Sequence, residues 1–131
     1  MAELKKILHV EDDAEILQIT GMALNLVGDF DIMQVDRGDK ALAVIEEFQP
    51  QLILSDVQMP GLTGPETLVE IRKMAGFENV PCIYLTARLM DGGEGLIVHP
   101  ADLDVIGKPF DPMTLADQIS EIWATKYEAA A

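Results

Sequence analysis

Four places in this 131-residue chain set chemically competent side chains directly after an apolar run. Ile7 to Val10 leads into Glu11-Asp12-Asp13, Leu52-Ile53-Leu54-Ser55 into Asp56, Cys82-Ile83-Tyr84-Leu85 into Thr86, and the run closing at Gly107 into Lys108. In an open parallel sheet, ligands bind outside the carboxyl ends of the strands, so these are the positions to read for function. In a strand order 2-1-3-4-5 they would meet as one cluster of carboxylates, a hydroxyl and an ammonium. Carboxylates gathered in this way repel one another unless a cation compensates them or their pKa values rise. Mg²⁺ suits the cluster, because it prefers hard oxygen ligands, keeps several waters and shares its shell with one or two carboxylates and a phosphate. Asp56 can then attack phosphorus, since a carboxylate is able to form an aspartyl phosphate. The metal and Lys108 would neutralise charge on the transferring group, and the Thr86 hydroxyl would donate to one phosphoryl oxygen.

Such positions need a scaffold, and the sequence supplies one. Five short apolar runs, at 7–10, 30–35, 51–55, 80–85 and 104–107, alternate with amphipathic stretches in a (βα)5 rhythm. The third and fourth runs lack polar alternation, as expected of parallel strands covered by helices on both faces, so the class is α/β and doubly wound. Ile16, Ile19, Ala23 and Val27 recur at helical spacing behind Asp13, which reads as an N-cap, and Leu42, Ile45 and Phe48 recur in the second helix. Thr63-Gly64-Pro65-Glu66 combines a capping box with an early proline, and Asp111-Pro112 repeats the cap-plus-proline signal before Leu115, Ile119 and Ile122. The fourth helical stretch is weak: Asp91-Gly92-Gly93-Glu94-Gly95 carries three glycines, each costing about 1 kcal/mol relative to alanine. A short, irregular or mobile segment is expected there. Residues 1–131 read as a single domain, with 126–131 as a fraying tail.

Composition narrows the partners. Nine basic residues against 23 acidic ones give a formal charge of −14, which disfavours direct contact with nucleic acid or anionic lipid. No uncharged apolar stretch reaches the roughly 18 residues of a membrane span, and no signal peptide is read at the N-terminus. The lone Cys82 lies in an apolar run and reads as a small core residue, which fits a reducing cytoplasm. His9 and His99 have no clustered metal-ligand partners and read as structural, while Trp123 and the seven methionines read as core filling.

The segments Ile7-Leu8-His9-Val10-Glu11-Asp12-Asp13, Ser55-Asp56-Val57-Gln58-Met59-Pro60-Gly61, Leu85-Thr86-Ala87 and Gly107-Lys108-Pro109-Phe110 occur in this order across the chain. Together they resemble the four signature segments of receiver domains, the phosphoryl-accepting switches of two-component response regulators. The resemblance implies the flavodoxin-like sheet order 2-1-3-4-5, which spacing alone does not give. It also implies Asp56 as phosphoacceptor, with Asp12 and Asp56 ligating Mg²⁺ directly, the Gln58 backbone carbonyl as a third ligand, and Glu11 acting through water. Mn²⁺ would be a substitute ion. A cis peptide before Pro109 follows from the same likeness, as do a histidine kinase or histidine phosphotransfer protein as donor and a switching face on helix four, strand five and helix five. A downstream protein or a second copy would read that face, and Gln58 and Arg88 would tune the lifetime of the phosphoryl group. The start at Met1 and the compact end favour a free-standing protein over an excised segment.

The sequence departs from the family pattern at Val105, where an aromatic switch residue is usual, at Pro100-Ala101 in place of Gly-Ala, and in the glycine-rich fourth helical stretch. These departures shift the expected signal to ordering or movement of residues 87–100. A phosphohydrolase of the haloacid dehalogenase type also uses Mg²⁺ and an aspartyl phosphate, but it places Asp-x-Asp after the first strand and carries a cap domain. Adjacent Glu11-Asp12 and the short chain disfavour it. A flavodoxin-like cofactor binder would need a phosphate loop where Glu11-Asp12-Asp13 stands, and a scaffold receiver that is never phosphorylated would not need the acceptor, metal and lysine positions filled. The reading is therefore a switch that assists its own modification and is not an enzyme.

Overall fold

The computed structural model describes residues 3–87 and 95–128. Strand β1 is Lys6–Val10, β2 Asp31–Val35, β3 Leu52–Asp56, β4 Cys82–Thr86 and β5 Asp102–Gly107. Helix α1 is Ala14–Met22, continued by a π-helical turn at Ala23–Val27; α2 is Gly38–Phe48, α3 Gly64–Ile71 and α4 Leu115–Ile122, continued by a π-helical turn at Trp123–Glu128. The expected helix between β4 and β5 falls largely on 88–94, with Gly92, Gly93 and Arg88, and lies outside the described residues. The expected tail begins inside the last π-helical turn, and its final residues, 129–131, also lie outside them.

The strands form one parallel sheet in the order β2-β1-β3-β4-β5. Every residue of β3 and β4 is buried, which is why both strands read as unbroken apolar runs. One face packs Ile7, Leu54, Ile83 and Leu85 against Leu24, Leu115, Ile119 and Trp123. The other packs Leu8, Val10, Ile53 and Tyr84 against Ile45, Leu68 and Ile71. Cys82 is fully buried in this second core, where burial pushes its thiol pKa up and keeps it inert. Truncating a fully buried residue such as Ile53 to alanine would cost about 2–5 kcal/mol.

Helix starts follow the sequence signals unevenly. Asp13 caps α1, its Oδ1 accepting from Glu15 N at 2.9 Å and Ile16 N at 3.1 Å. Thr63 and Glu66 close the capping box at α3 with reciprocal bonds of 2.9 and 3.2 Å. Asp111-Pro112 instead begins a turn. Asp111 Oδ1 accepts from Met113 N and its carbonyl accepts from Thr114 N and Leu115 N, so α4 opens at Leu115. The apolar stripe expected on α1 holds at Ala23 but not throughout: Ile19 and Val27 are 43% and 48% exposed, while Thr20 and Leu24 are buried beside Ala23. The widened π turn changes the angular phase beyond Ala23, and Ile19 lies on the rim of a cleft at the strand ends.

Two polar anchors sit at the amino-terminal end of the sheet. Arg72, just past α3, places Nη2 2.8 Å from Asp102 Oδ1 and donates to Val80 O at 3.0 Å. Asp102 Oδ2 accepts from Val98 N and His99 N, and both side chains of the ion pair are nearly or fully buried. Oδ1 accepts no hydrogen bond, so its contact with Arg72 is one of charge alone. Ahead of β3, the Gln51 side chain reaches the N-terminal segment: Oε1 accepts from Lys5 N and Lys6 N at 2.7 and 2.9 Å, and Nε2 donates to Glu3 O at 2.9 Å.

Candidate functional site at the carboxyl ends of the strands

The parallel order sets the ends of β1, β3, β4 and β5 in one row, and polar residues at these ends converge. Glu11, directly after β1, has its backbone N–H bound to Val35 O at 3.0 Å and its side chain fully buried. Asp12 is exposed beside it. Asp56 is the last residue of β3 and is 7% exposed. One oxygen from each of Glu11, Asp12 and Asp56 lies within 4.8 Å of the others. Lys108, after β5, reaches across with Nζ at 2.8 Å from Glu11 Oε1 and 3.1 Å from Asp56 Oδ1. Its backbone N–H donates to Thr86 O at 2.8 Å, which ties the lysine to the end of β4. The peptide between Lys108 and Pro109 is cis. Thr86 is buried as the last residue of β4, and Gln58 is an exposed loop residue two positions beyond Asp56.

The electrostatics are unbalanced. Burial, with the charge of Asp56 added to it, raises the Glu11 pKa to about 7 against the opposing hydrogen bonds from Lys108 and Asp13 N. Burial works to lower the Lys108 pKa, but the hydrogen bond and charge of Glu11, together with those of Asp56, outweigh it and the net shift is upward. Burial thus outweighs the Lys108 ammonium at Glu11, and among the described residues of the cluster one ammonium faces three carboxylates. The donor set is all hard carboxylate oxygen at short range, which fits Mg²⁺ better than a softer metal.

His9 is directly below, fully buried, with burial and then the Lys108 charge lowering its pKa to about 3. Gln34 holds it, Nε2 lying 3.1 Å from His9 Nδ1 and donating to Leu17 O at 2.7 Å. This accords with the structural reading of His9, as does His99, whose Nδ1 accepts from Ala101 N at 2.9 Å. Val105 is half-buried against the second core. The cleft above the acids encloses about 480 Å³, and Ile16, Ile19, Pro109, Phe110 and Pro112 line it beside the charged residues. Sequence reading missed that apolar rim, although Pro109 and Phe110 stood within a quoted motif. It also missed Ser55 and Gly64, which pack on the Asp56 peptide.

Comparison with known proteins identifies the family and the fold. The response regulator receiver domain family matches residues 7–120. A transcriptional regulatory protein CpxR homolog of Haemophilus influenzae is 39% identical over 119 residues, covering 91% of this chain and 50% of that protein. A probable transcriptional regulator ycf27 of Pyropia yezoensis is 36% identical over 120 residues, covering 90% and 47%. The chain thus spans about half the length of these relatives. Among solved structures, the chemotaxis response regulator CheY4 of Vibrio cholerae superposes with a TM-score of 0.77 at 28% identity, covering 91% of this chain and 98% of its own. The receiver domain of a sensor histidine kinase from Pseudomonas aeruginosa, solved with a magnesium ion coordinated in its active site cleft, gives 0.77 at 28% identity, covering 93% and 98%.

Proposed function

This chain belongs to the response regulator receiver domain family, and from that premise we propose that it accepts a phosphoryl group on Asp56 in a Mg²⁺-dependent reaction. The observation that carries the reading is the placement of Asp56: buried at the end of β3, in reach of the Lys108 ammonium at 3.1 Å, and grouped with Glu11 and Asp12. The donor is a phosphohistidine on a histidine kinase or phosphotransfer protein. An Asp56 carboxylate oxygen attacks phosphorus, the O–P bond forms as the N–P bond breaks, and the released imidazole takes up a proton. Asp12 and Asp56 would hold the metal directly, Gln58 through its backbone carbonyl and Glu11 through water. Bound there, Mg²⁺ supplies charge neutralisation for the transferring group. Lys108 stabilises the same charge from the other side, and the Thr86 hydroxyl donates to a phosphoryl oxygen.

We read the chain as one receiver domain that works as a switch, not as a turnover enzyme. It is cytoplasmic, and its phosphorylated form is read by a downstream protein or a second copy. The acidic surface leaves direct nucleic-acid contact outside this chain. The test is intact mass after incubation with acetyl phosphate, with and without Mg²⁺, beside Asp56→Ala. A gain of about 80 Da, one phosphoryl unit, that requires both the metal and Asp56 is the expected result. No adduct under conditions that trap short-lived species would overturn the reading in favour of a scaffold that binds its partner unmodified.

A further inference from the structure

The residue that carries the central carboxylate has its own peptide group gripped from two sides. The Asp56 carbonyl oxygen accepts the Ser55 hydroxyl at 2.9 Å in a buried hydrogen bond. Gly64, the first residue of α3, is packed so closely on the same oxygen that a Cβ there would overlap it and lie 3.1 Å from Ser55 Oγ. Gly64 N donates to Val57 O at 2.9 Å, which closes the 57–64 loop back onto the end of β3. Val57 N in turn donates to Asp56 Oδ1 at 2.9 Å, the oxygen that also faces Lys108.

The sequence gives each residue a reason to be what it is. A hydroxyl within the buried strand β3 needs a partner, and the Asp56 carbonyl is the partner it finds. Gly64 has no positive φ that would require glycine, whereas Gly61 and Gly76 do. What Gly64 provides is room for close backbone approach.

We propose that Ser55 and Gly64 are positioning residues for the phosphoacceptor, fixing the Asp56 peptide and, through Val57 N–H, the direction of its carboxylate. The proposal rests on Asp56 being the acceptor. Because Gly64 also closes the loop that contains Gln58, the same clamp sets where the Gln58 carbonyl stands relative to the acids.

The experiment uses Ser55→Ala, which removes the hydroxyl without adding bulk, and Gly64→Ala, which forces the loop off the Asp56 carbonyl. The control is Gly28→Ala, where a Cβ would come 2.6 Å from the Ala116 Cβ, well away from the acids. Thermal unfolding, amide exchange at Val57 in metal-free protein, the Mg²⁺ dissociation constant, and the acetyl phosphate rate at saturating Mg²⁺ are compared. Ser55→Ala is expected to stay folded, to speed Val57 exchange about tenfold, and to weaken Mg²⁺ binding and slow phosphorylation each by about three- to tenfold. Gly64→Ala is expected to lose about a hundredfold in rate at saturating metal, the scale of a misplaced reactive group. Gly28→Ala loses stability and keeps wild-type metal affinity and rate. Wild-type Mg²⁺ affinity and rate in Ser55→Ala overturn the proposal even if Gly64→Ala fails to fold. If the wild-type protein itself takes up no phosphoryl group, the acceptor reading fails, and Val57 exchange still decides whether the clamp exists.

Discussion

The sheet carries a largely buried cation against carboxylate at each end, and the two arrangements differ in their ratio of charges. At the amino-terminal end Arg72 meets Asp102 alone, one charge to one, and the remaining oxygen of Asp102 is filled by Val98 N–H and His99 N–H. At the carboxyl end Lys108 meets two buried carboxylates, Glu11 and Asp56, with Asp12 beside them. The first fastens α3 and the 98–99 backbone to β5, although Arg72 Nε and Asp102 Oδ1 make no hydrogen bond. The second leaves three carboxylates against one ammonium at a cleft, a charge ratio that suits a divalent cation. Both ends are buried or nearly so, and it is the ratio of charges that distinguishes them.

The comparison breaks most visibly at Asp102. Asp102→Ala strands the Arg72 guanidinium without its partner and should cost about 3–5 kcal/mol in urea unfolding, whereas Arg72→Met with Asp102→Leu should recover most of that loss. The folded fraction of Asp102→Ala should still be phosphorylated at the wild-type rate; a slower rate there would join the two ends functionally. Lys108→Met should do the reverse. The phosphorylation rate should fall by about 10²–10³, as for loss of one preorganised electrostatic donor, while urea unfolding changes less than in Asp102→Ala because Glu11, with its raised pKa, can protonate. A subtler contrast lies in pH. Glu11 has a folded pKa raised from 4.5 to about 7, so the folded state holds its proton more tightly than the unfolded chain. Its contribution is full below about 4.5 and is lost as pH rises towards 7. His9, lowered to about 3, acts oppositely, losing stability as pH falls below its ordinary value. Metal-free Glu11→Gln should therefore gain relative to wild type as pH rises from 5 to 7 in thermal melts, and no relative change would place Glu11 outside the excess charge. The smallest effect belongs to the exposed pair Lys126 and Asp104 at 3.7 Å, where Lys126→Ala should change stability by less than about 0.5 kcal/mol.

Much of the carboxyl end was legible because its signals are local. Apolar runs announce strands, and the first polar residue after each run must lie at a strand end, so Glu11, Asp12, Asp56, Thr86 and Lys108 could be named in advance. The strand order came from family likeness, since nothing in spacing says that β1 lies between β2 and β3. The reach of Lys108 to Glu11 spans 97 positions, and its distance could not be read from a pattern. Nor could the pairing of Arg72 with Asp102, because an arginine after a helix and an aspartate before a strand are ordinarily solvated. The α1 stripe failed for different reasons: at Val27 a π turn changes the period on which the count of apolar positions depends, and Ile19 lines the cleft. Thr63 and Glu66 carry a local capping signal that marks the start of α3, but the closeness of Gly64 to Asp56 is a tertiary fact.

One consequence of Gln51 concerns handling of the protein. Its carboxamide binds Glu3 O, Lys5 N and Lys6 N much as a neighbouring strand would, so the backbone ahead of β1 is held in place by a side chain. A protease digesting inward from the amino terminus should slow at Glu3 to Lys6, and Gln51→Ala should let trimming run on to the start of β1 without touching the acidic cleft.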